Sequence, residues 1–330
     1  MLHVTNGDAA AGALRVAGLE GARLPWCDVL HEGPLPAAPD DAALRRARAA
    51  FLAGTGLAPD AVGVEADLAD RDLRLARALA AHEPVTLWFE HDLYDQWQLV
   101  QVLARCAPAI ADGAPVELVL TSDYIGPMTP DAVRAAWESR RAATDDDVAL
   151  ATAAWAALRA PGPGPLAAIA RDDAHALPHL GAAARRHLEE LPSRADGLSR
   201  SERQALEAIA AGHDTLVDAF VHSHSAREPA LFLGDTVFIH YLERLSACRV
   251  PLVTFTGGAL VRLPRGDTPP RGWWQQRVAL TAAGRDALAG TADHVRLNAV
   301  ERWLGGIHLG CGYEDWRWDA TREAPVTGLA

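Results

Sequence analysis

Val85-Thr86-Leu87-Trp88-Phe89 runs without a break into Glu90-His91-Asp92-Leu93-Tyr94-Asp95-Gln96. A continuous run of this kind has the length of one strand and lacks the alternation of a half-solvated one. It reads as a central strand covered on both faces, as in a parallel sheet. Four ionisable groups then crowd into the next six residues, at the carboxyl end of that strand, where open α/β sheets place their ligand crevices.

The same design recurs toward the N-terminus. Met1–Thr5 reads as a strand that ends in Asn6-Gly7-Asp8, with a helix over Asp8–Ala17. Leu24–Leu30 reads as a second strand, closed by His31-Glu32-Gly33-Pro34. Helical spacing covers Asp40–Leu52 and Leu68–Ala81, and a helix from about Tyr94 to Cys106 follows the quoted strand. Val116–Leu120 is a further buried strand, and Pro130 opens a helix through Arg140. Strands alternating with helices predict a mostly parallel, three-layer (Rossmann-like) α/β domain over residues 1–145.

Beyond it, a helix over Asp145–Ala160, the break Pro161-Gly162-Pro163-Gly164-Pro165 and a helix over Gly181–Leu191 make residues 146–196 a helical linker region. Ser199 with Glu202 forms a capping box at the start of another helix. Helices at about Thr215–His222 and Thr236–Ala247 follow, then strand-like segments at Pro251–Phe255, Ala259–Leu263 and Gln276–Leu280, then a helix from Thr281. Three helices, a hairpin and a helix is the order of a winged helix-turn-helix, so residues 197–330 read as a winged-helix-like α+β domain.

Composition narrows the function classes. The 330 residues carry a net charge of −12, which argues against a broad nucleic-acid surface. Residues 197–330 hold 14 Arg against 15 acidic residues, so only there could a local basic face survive. All 31 basic residues are Arg. The four cysteines form no C-x-x-C pair, and no metal-binding cysteine motif is signalled. No run of eighteen apolar residues exists and no basic-then-apolar leader opens the chain, so a cytoplasmic protein without membrane contact is expected.

Taken together, Leu2-His3-Val4-Thr5-Asn6-Gly7-Asp8, Leu24-Pro25-Trp26, Asp28-Val29-Leu30-His31-Glu32-Gly33-Pro34 and Phe89-Glu90-His91-Asp92-Leu93-Tyr94-Asp95-Gln96 resemble the bacterial domain-of-unknown-function 1835 family. The resemblance covers roughly residues 1–125. Gly197-Leu198-Ser199-Arg200-Ser201-Glu202-Arg203 resembles the C-terminal region that accompanies this domain. It implies a domain layout and marks these motifs as important, but carries no established activity. One departure is Cys27, where the family pattern would have Arg.

The candidate site residues follow from chemistry. Buried strand-end ionisable groups are costly unless used, which makes Glu90-His91-Asp92 with Asp95 the strongest cluster. A helix cap accounts for one of these carboxylates and not for the set. His31 and Glu32 form a possible acid/base or metal-binding pair in a turn. Thr5, Asn6, Gly7 and Asp8 sit where a helix N-terminus can receive an anion, although Asp8 also suits a plain cap. Tyr94 and Gln96 are candidate ligand contacts or packing residues. The expectation is therefore a hydrolase-type or nucleotide-processing site on a small polar or phosphate-bearing ligand. His31, Glu32, His91, Asp92 and Asp95 would supply acid/base or metal-binding groups, and a divalent metal would suit this donor set. Two rival readings are a ligand-sensing regulator that binds DNA through the winged helix, with Arg262, Arg265, Arg271 and Arg277 near phosphates, and a winged helix used for protein interaction. The tryptophans at 273, 274, 303, 316 and 318 suit core packing or base stacking.

Overall fold

The computed structural model describes residues 1–37, 40–172, 176–258, 260, 270 and 272–328. Strands β1 (Leu2–Thr5), β2 (Ala22–Pro25), β4 (Val85–Phe89), β5 (Val116–Leu120) and β6 (Arg141–Ala142) form a five-stranded sheet in the order β2-β1-β4-β5-β6, where β3 is the short Gly33–Pro34 segment. The first four run parallel and β6 is antiparallel to β5. Helices α1 (Asp8–Val16), α2 (Asp41–Gly54), α3 (Ala61–Ala80), α4 (Leu93–Ala111), α5 (Pro130–Glu138) and α6 (Asp145–Leu158) connect or cover them.

Alternation along β4 sorts the two faces. Trp88 packs with Leu14 of α1 and Val133 of α5, whereas Val85, Leu87 and Phe89 join the larger core on the opposite side. His3 belongs to the smaller core: its Nδ1 accepts from Trp88 Nε1 at 3.2 Å, and its Nε2 lies 3.0 Å from the Glu20 carbonyl. From β1 the chain crosses to β2 on one side, and later reaches β4 on the other. The sheet therefore reverses direction between β1 and β4, and the crevice of an open α/β sheet belongs at that reversal.

Helices α7 (Gly164–Arg171) and α8 (Leu180–Leu188) lead into α9 (Arg200–Ala210), α10 (Leu216–Phe220) and α11 (Asp235–Ala247). A π-helical turn, Val221–Ser225, extends α10. The capping box is present: Glu202 N–H donates to Ser199 Oγ, and Ser199 N–H donates to Glu202 Oε2. Strands β7 (Val253–Phe255) and β8 (Val278–Leu280) pair antiparallel ahead of α12 (Ala282–Leu288). The expected strand at Ala259–Leu263 lies largely outside the described residues, as do Arg262, Arg265 and Arg271. Arg277 is paired with Asp214.

After α13 (His294–Asn298), four strands follow that sequence reading did not anticipate: β9 (Arg302–Gly305), β10 (Ile307–Leu309), β11 (Trp316–Asp319) and β12 (Ala324–Thr327). Strand β9 pairs with both β10 and β3, so the end of the chain adds a strand to the loop after β2. Residues from all three expected segments share one continuous apolar core. No helix among the described residues is long and apolar enough to cross a membrane.

Candidate carboxylate site

Asn6 follows β1, and Glu90, Asp92 and Asp95 follow β4, so the sheet reversal brings them together. Asn6 Nδ2 donates to Asp95 Oδ2 at 2.8 Å, and Asp95 Oδ1 accepts from the Glu90 amide at 2.6 Å. Asp92 caps α4 by accepting the Asp95 amide at 3.1 Å, the role a first-turn carboxylate is expected to fill. Glu90 Oε1 reaches across to the loop that follows β5 and accepts the Ile125 amide at 2.6 Å. Gln96 locks the turn from behind, its Nε2 donating to the Glu90 carbonyl at 2.6 Å.

Ligating oxygens of Glu90, Asp92 and Asp95 lie within 4.8 Å of one another, and the three residues are only 5, 3 and 1% exposed. Burial raises all three carboxyls. Asp92 is pushed up to about 7, by burial first and the neighbouring Glu90 charge second. Asp95 is held well above the usual carboxylate range, by burial and then by Asp92 and Glu90. Glu90 is raised by burial, against the opposing bonds from Ile125 and Asn6.

The chain handles its other buried acids differently. Among the described residues Asp28, Glu32, Asp147, Glu190, Asp196, Glu202, Glu228 and Asp319 are buried, and each has an arginine within ion-pair distance. Glu90, Asp92 and Asp95 have none among the described residues. Amide donors alone leave most of the charge of three clustered carboxylates uncompensated, so the site calls for shared protons or a bound cation. The three carboxylates with the Asn6 carboxamide beside them make an all-oxygen set, which suits Mg²⁺ or Mn²⁺ better than Zn²⁺.

His91 sits at the rim, its ring 5.2 Å from that of Tyr124 and 6.0 Å from that of His179. Burial lowers its pKa, against the nearby Asp123. The Tyr124 hydroxyl is engaged elsewhere: it donates to the Leu231 carbonyl at 3.2 Å and accepts from the Leu231 amide at 2.6 Å, strapping the segment after the π-helical turn over the loop that follows β5. A cavity of about 190 Å³ borders His91 and Leu93, the neighbours of Asp92 on either side. Its walls include Arg185, Arg186 and Arg200 against Glu189 and Glu228.

The remaining expected residues go elsewhere. Thr5 is buried with its hydroxyl on the Gly7 carbonyl, and Asp8 is exposed in the first turn of α1. Glu32 belongs to a separate buried network. Arg302 grips it with two bonds of 2.9 and 2.6 Å, and Tyr241 Oη donates to it at 3.0 Å. Burial opposes ionisation there, yet Arg302 and Arg244 hold the Glu32 carboxyl down at about 2. Glu32 is thus a fixed anion that ties the β3 turn to α11 and β9. His31 is fully buried, lowered to about 4 chiefly by that burial, with neither ring nitrogen hydrogen-bonded. Its ring meets Phe232 at 5.0 Å and Tyr94 at 6.1 Å, edge-on in both cases. Tyr94 in turn is raised by burial, against a hydrogen bond with Gln98.

Glu90, read from sequence as part of the strongest cluster but given no role of its own, completes the site together with Ile125, which sequence reading did not single out. The backbone amide of Ile125, in the loop after β5, leaves no trace in residue types. No family model matches the chain, and no curated protein matches it.

Proposed function

We propose that the β1/β4 crevice is a divalent-cation site for a hydrolase-type or phosphate-processing reaction on a small polar ligand. The observation that carries this reading is the cluster Glu90, Asp92 and Asp95, left without arginine in a chain that pairs its other buried acids. A cation there would polarise a phosphoryl oxygen and lower the pKa of its bound water. Asn6 orients Asp95, the Asp95 and Ile125 amides orient Asp92 and Glu90, and His91 at the rim offers a neutral imidazole for proton transfer. The cavity beside His91 offers room for a small polar ligand, its Arg186 and Arg200 already held in ion pairs by Glu189, Glu190 and Glu228.

The DNA-binding reading draws less support. The third helix of a helix-turn-helix presents a basic face to the groove. Here α11 buries seven of its thirteen residues, and its Arg244 pairs with Glu32. On the motif resemblance alone we place residues 1–125 with the domain-of-unknown-function 1835 family; its motifs are those that end β1 and β4.

Calorimetric titration of the full chain with Mn²⁺ and Mg²⁺ tests the site, followed by hydrolysis of phosphate mono- and diesters in the cation's presence. One saturable cation, lost in Asp92→Asn with the fold intact, is expected. Failure of either cation to bind would overturn the reading.

A further inference from the structure

Strands β9, β10 and β11 border a second cavity of about 450 Å³, lined by none of the carboxylate-site residues, within the range of small-ligand pockets and roomier than the one beside the carboxylates. Four aromatic rings line it: Trp303, His308, Tyr313 and Trp316. Glu314 supplies a carboxylate, and among the described residues no arginine lines the cavity. Gly162 also lines it, with the Trp316 ring 3.5 Å from where a Cβ would stand.

The sequence pattern is selective about what faces this cavity. Arg302 and Arg317 each adjoin a lining tryptophan, and successive strand residues point to opposite faces. Arg302 is turned inward onto Glu32, and Arg317 onto Asp293 and Asp315. Positive charge is thereby withdrawn from the aromatic side. His308 stacks on Trp303 with ring centroids 4.1 Å apart and meets Tyr313 at 3.8 Å, and its Nε2 is bonded to Glu301. That arrangement fixes the imidazole as a wall. Tyr313 is 55% exposed, so its ring borders the cavity without being buried against it.

We infer that this cavity binds an organic cation of the quaternary ammonium class. Aromatic faces carry negative potential and attract a cation whose charge is spread over methyl groups. One carboxylate is enough to complement it, and such a group brings no N–H donors that would need several acceptors. A primary ammonium would lose hydration that this lining cannot replace. Independent residues carry the site, so its fate is separate from that of the carboxylate crevice.

The test is a titration of the full chain, followed by tryptophan fluorescence and calorimetry, with choline and with its neutral isostere 3,3-dimethyl-1-butanol. Choline should bind saturably and at least about tenfold more tightly than the isostere, the size of a desolvated cation–π contribution. Tyr313→Ala and Glu314→Gln, both at exposed positions and so without consequence for the fold, should each weaken choline several-fold. Trp303→Ala should abolish binding, and the two surface variants decide the matter if it fails to fold. Absence of saturable choline binding overturns the inference. So does equal affinity for the isostere, which would mark a plain apolar groove, or binding untouched by both surface variants.

Discussion

Asn6 and Asp95, 89 residues apart, are joined by a 2.8 Å hydrogen bond that links the end of β1 to the first turn of α4. The bond spans the point where the sheet reverses, so it both closes the crevice and aims one carboxylate. Asn6→Leu removes the donor and leaves Asp95 Oδ2 buried without it. The expected loss is about 1–3 kcal/mol in urea unfolding, the usual cost of orphaning a buried acceptor. Loss of cation binding should accompany it.

Three clustered carboxylates destabilise the chain when no cation is present. In chelator at pH 8, Asp92→Asn should therefore be more stable than the unmodified chain, by roughly 2–4 kcal/mol from the rise of Asp92 to about 7. With Mn²⁺ the order should shift, because the unmodified chain gains about 2.7 kcal/mol at a hundredfold excess over Kd and the variant gains none. Thermal unfolding with and without the cation reads both effects. Equal stability of the two proteins in chelator would mean that the carboxylates do not repel.

Acid should weaken the fold through its buried imidazoles. His31 and His187 are depressed by burial to about 4 and about 3 in the folded chain, below the ordinary value of 6.5. Between those values and 6.5 the unfolded chain takes up protons that the folded chain refuses. Stability from this source is complete above 6.5 and is lost as pH falls toward 4. Asp92 works in the opposite sense, since its raised value makes stability fall as pH climbs toward 7. The acid loss should therefore stand out in the Asp92→Asn background and shrink when His31→Leu is added. Urea midpoints from pH 7.5 to 4 measure it.

Glu32 should behave as a tether. Glu32→Gln or Arg302→Met alone should cost about 3–5 kcal/mol, because each strands a buried partner charge. Combining Glu32→Gln with Arg302→Met should recover part of that loss in a double-mutant cycle. The double variant should retain cation affinity, since Glu32 shares no hydrogen bond with the carboxylate cluster. A pH-rate profile that moved with Glu32→Gln would instead make Glu32 an acid/base group.

Tyr124→Phe deletes both bonds to Leu231 and should loosen the strap it holds. Amide exchange in residues 228–233 is expected to quicken by about tenfold, with the strands of the main sheet unchanged.

Local pattern was enough for the α/β half. The strands β1, β4 and β5 are continuous or nearly continuous apolar runs, and Thr129-Pro130, Asp40 and Ser199 are capping signals that act within one turn. The acidic run after Phe89 was equally visible, because charge beside a buried strand is costly wherever it occurs. The C-terminal strands left no such mark. Strands β9 and β10 are four and three residues long, separated only by Gly306, and the partner that gives β9 its place is Gly33–Pro34, some 270 positions away. Helix α7 was hidden for a related reason, since its Gly-Pro start reads as a break until the chain around it is folded.

Residue types alone thus determined a mostly parallel sheet and an acidic centre at the end of its middle strand, because burial period and desolvation cost are local. Which acids stand together was decided only in three dimensions. Glu32 and Asp92 carry the same functional group, each beside a histidine at a strand end. Arg302, distant in sequence, neutralises the first, while the sheet reversal gathers the second with Glu90 and Asp95, where no arginine among the described residues reaches. Pairing across such separations is settled by topology, and no short stretch of sequence encodes it.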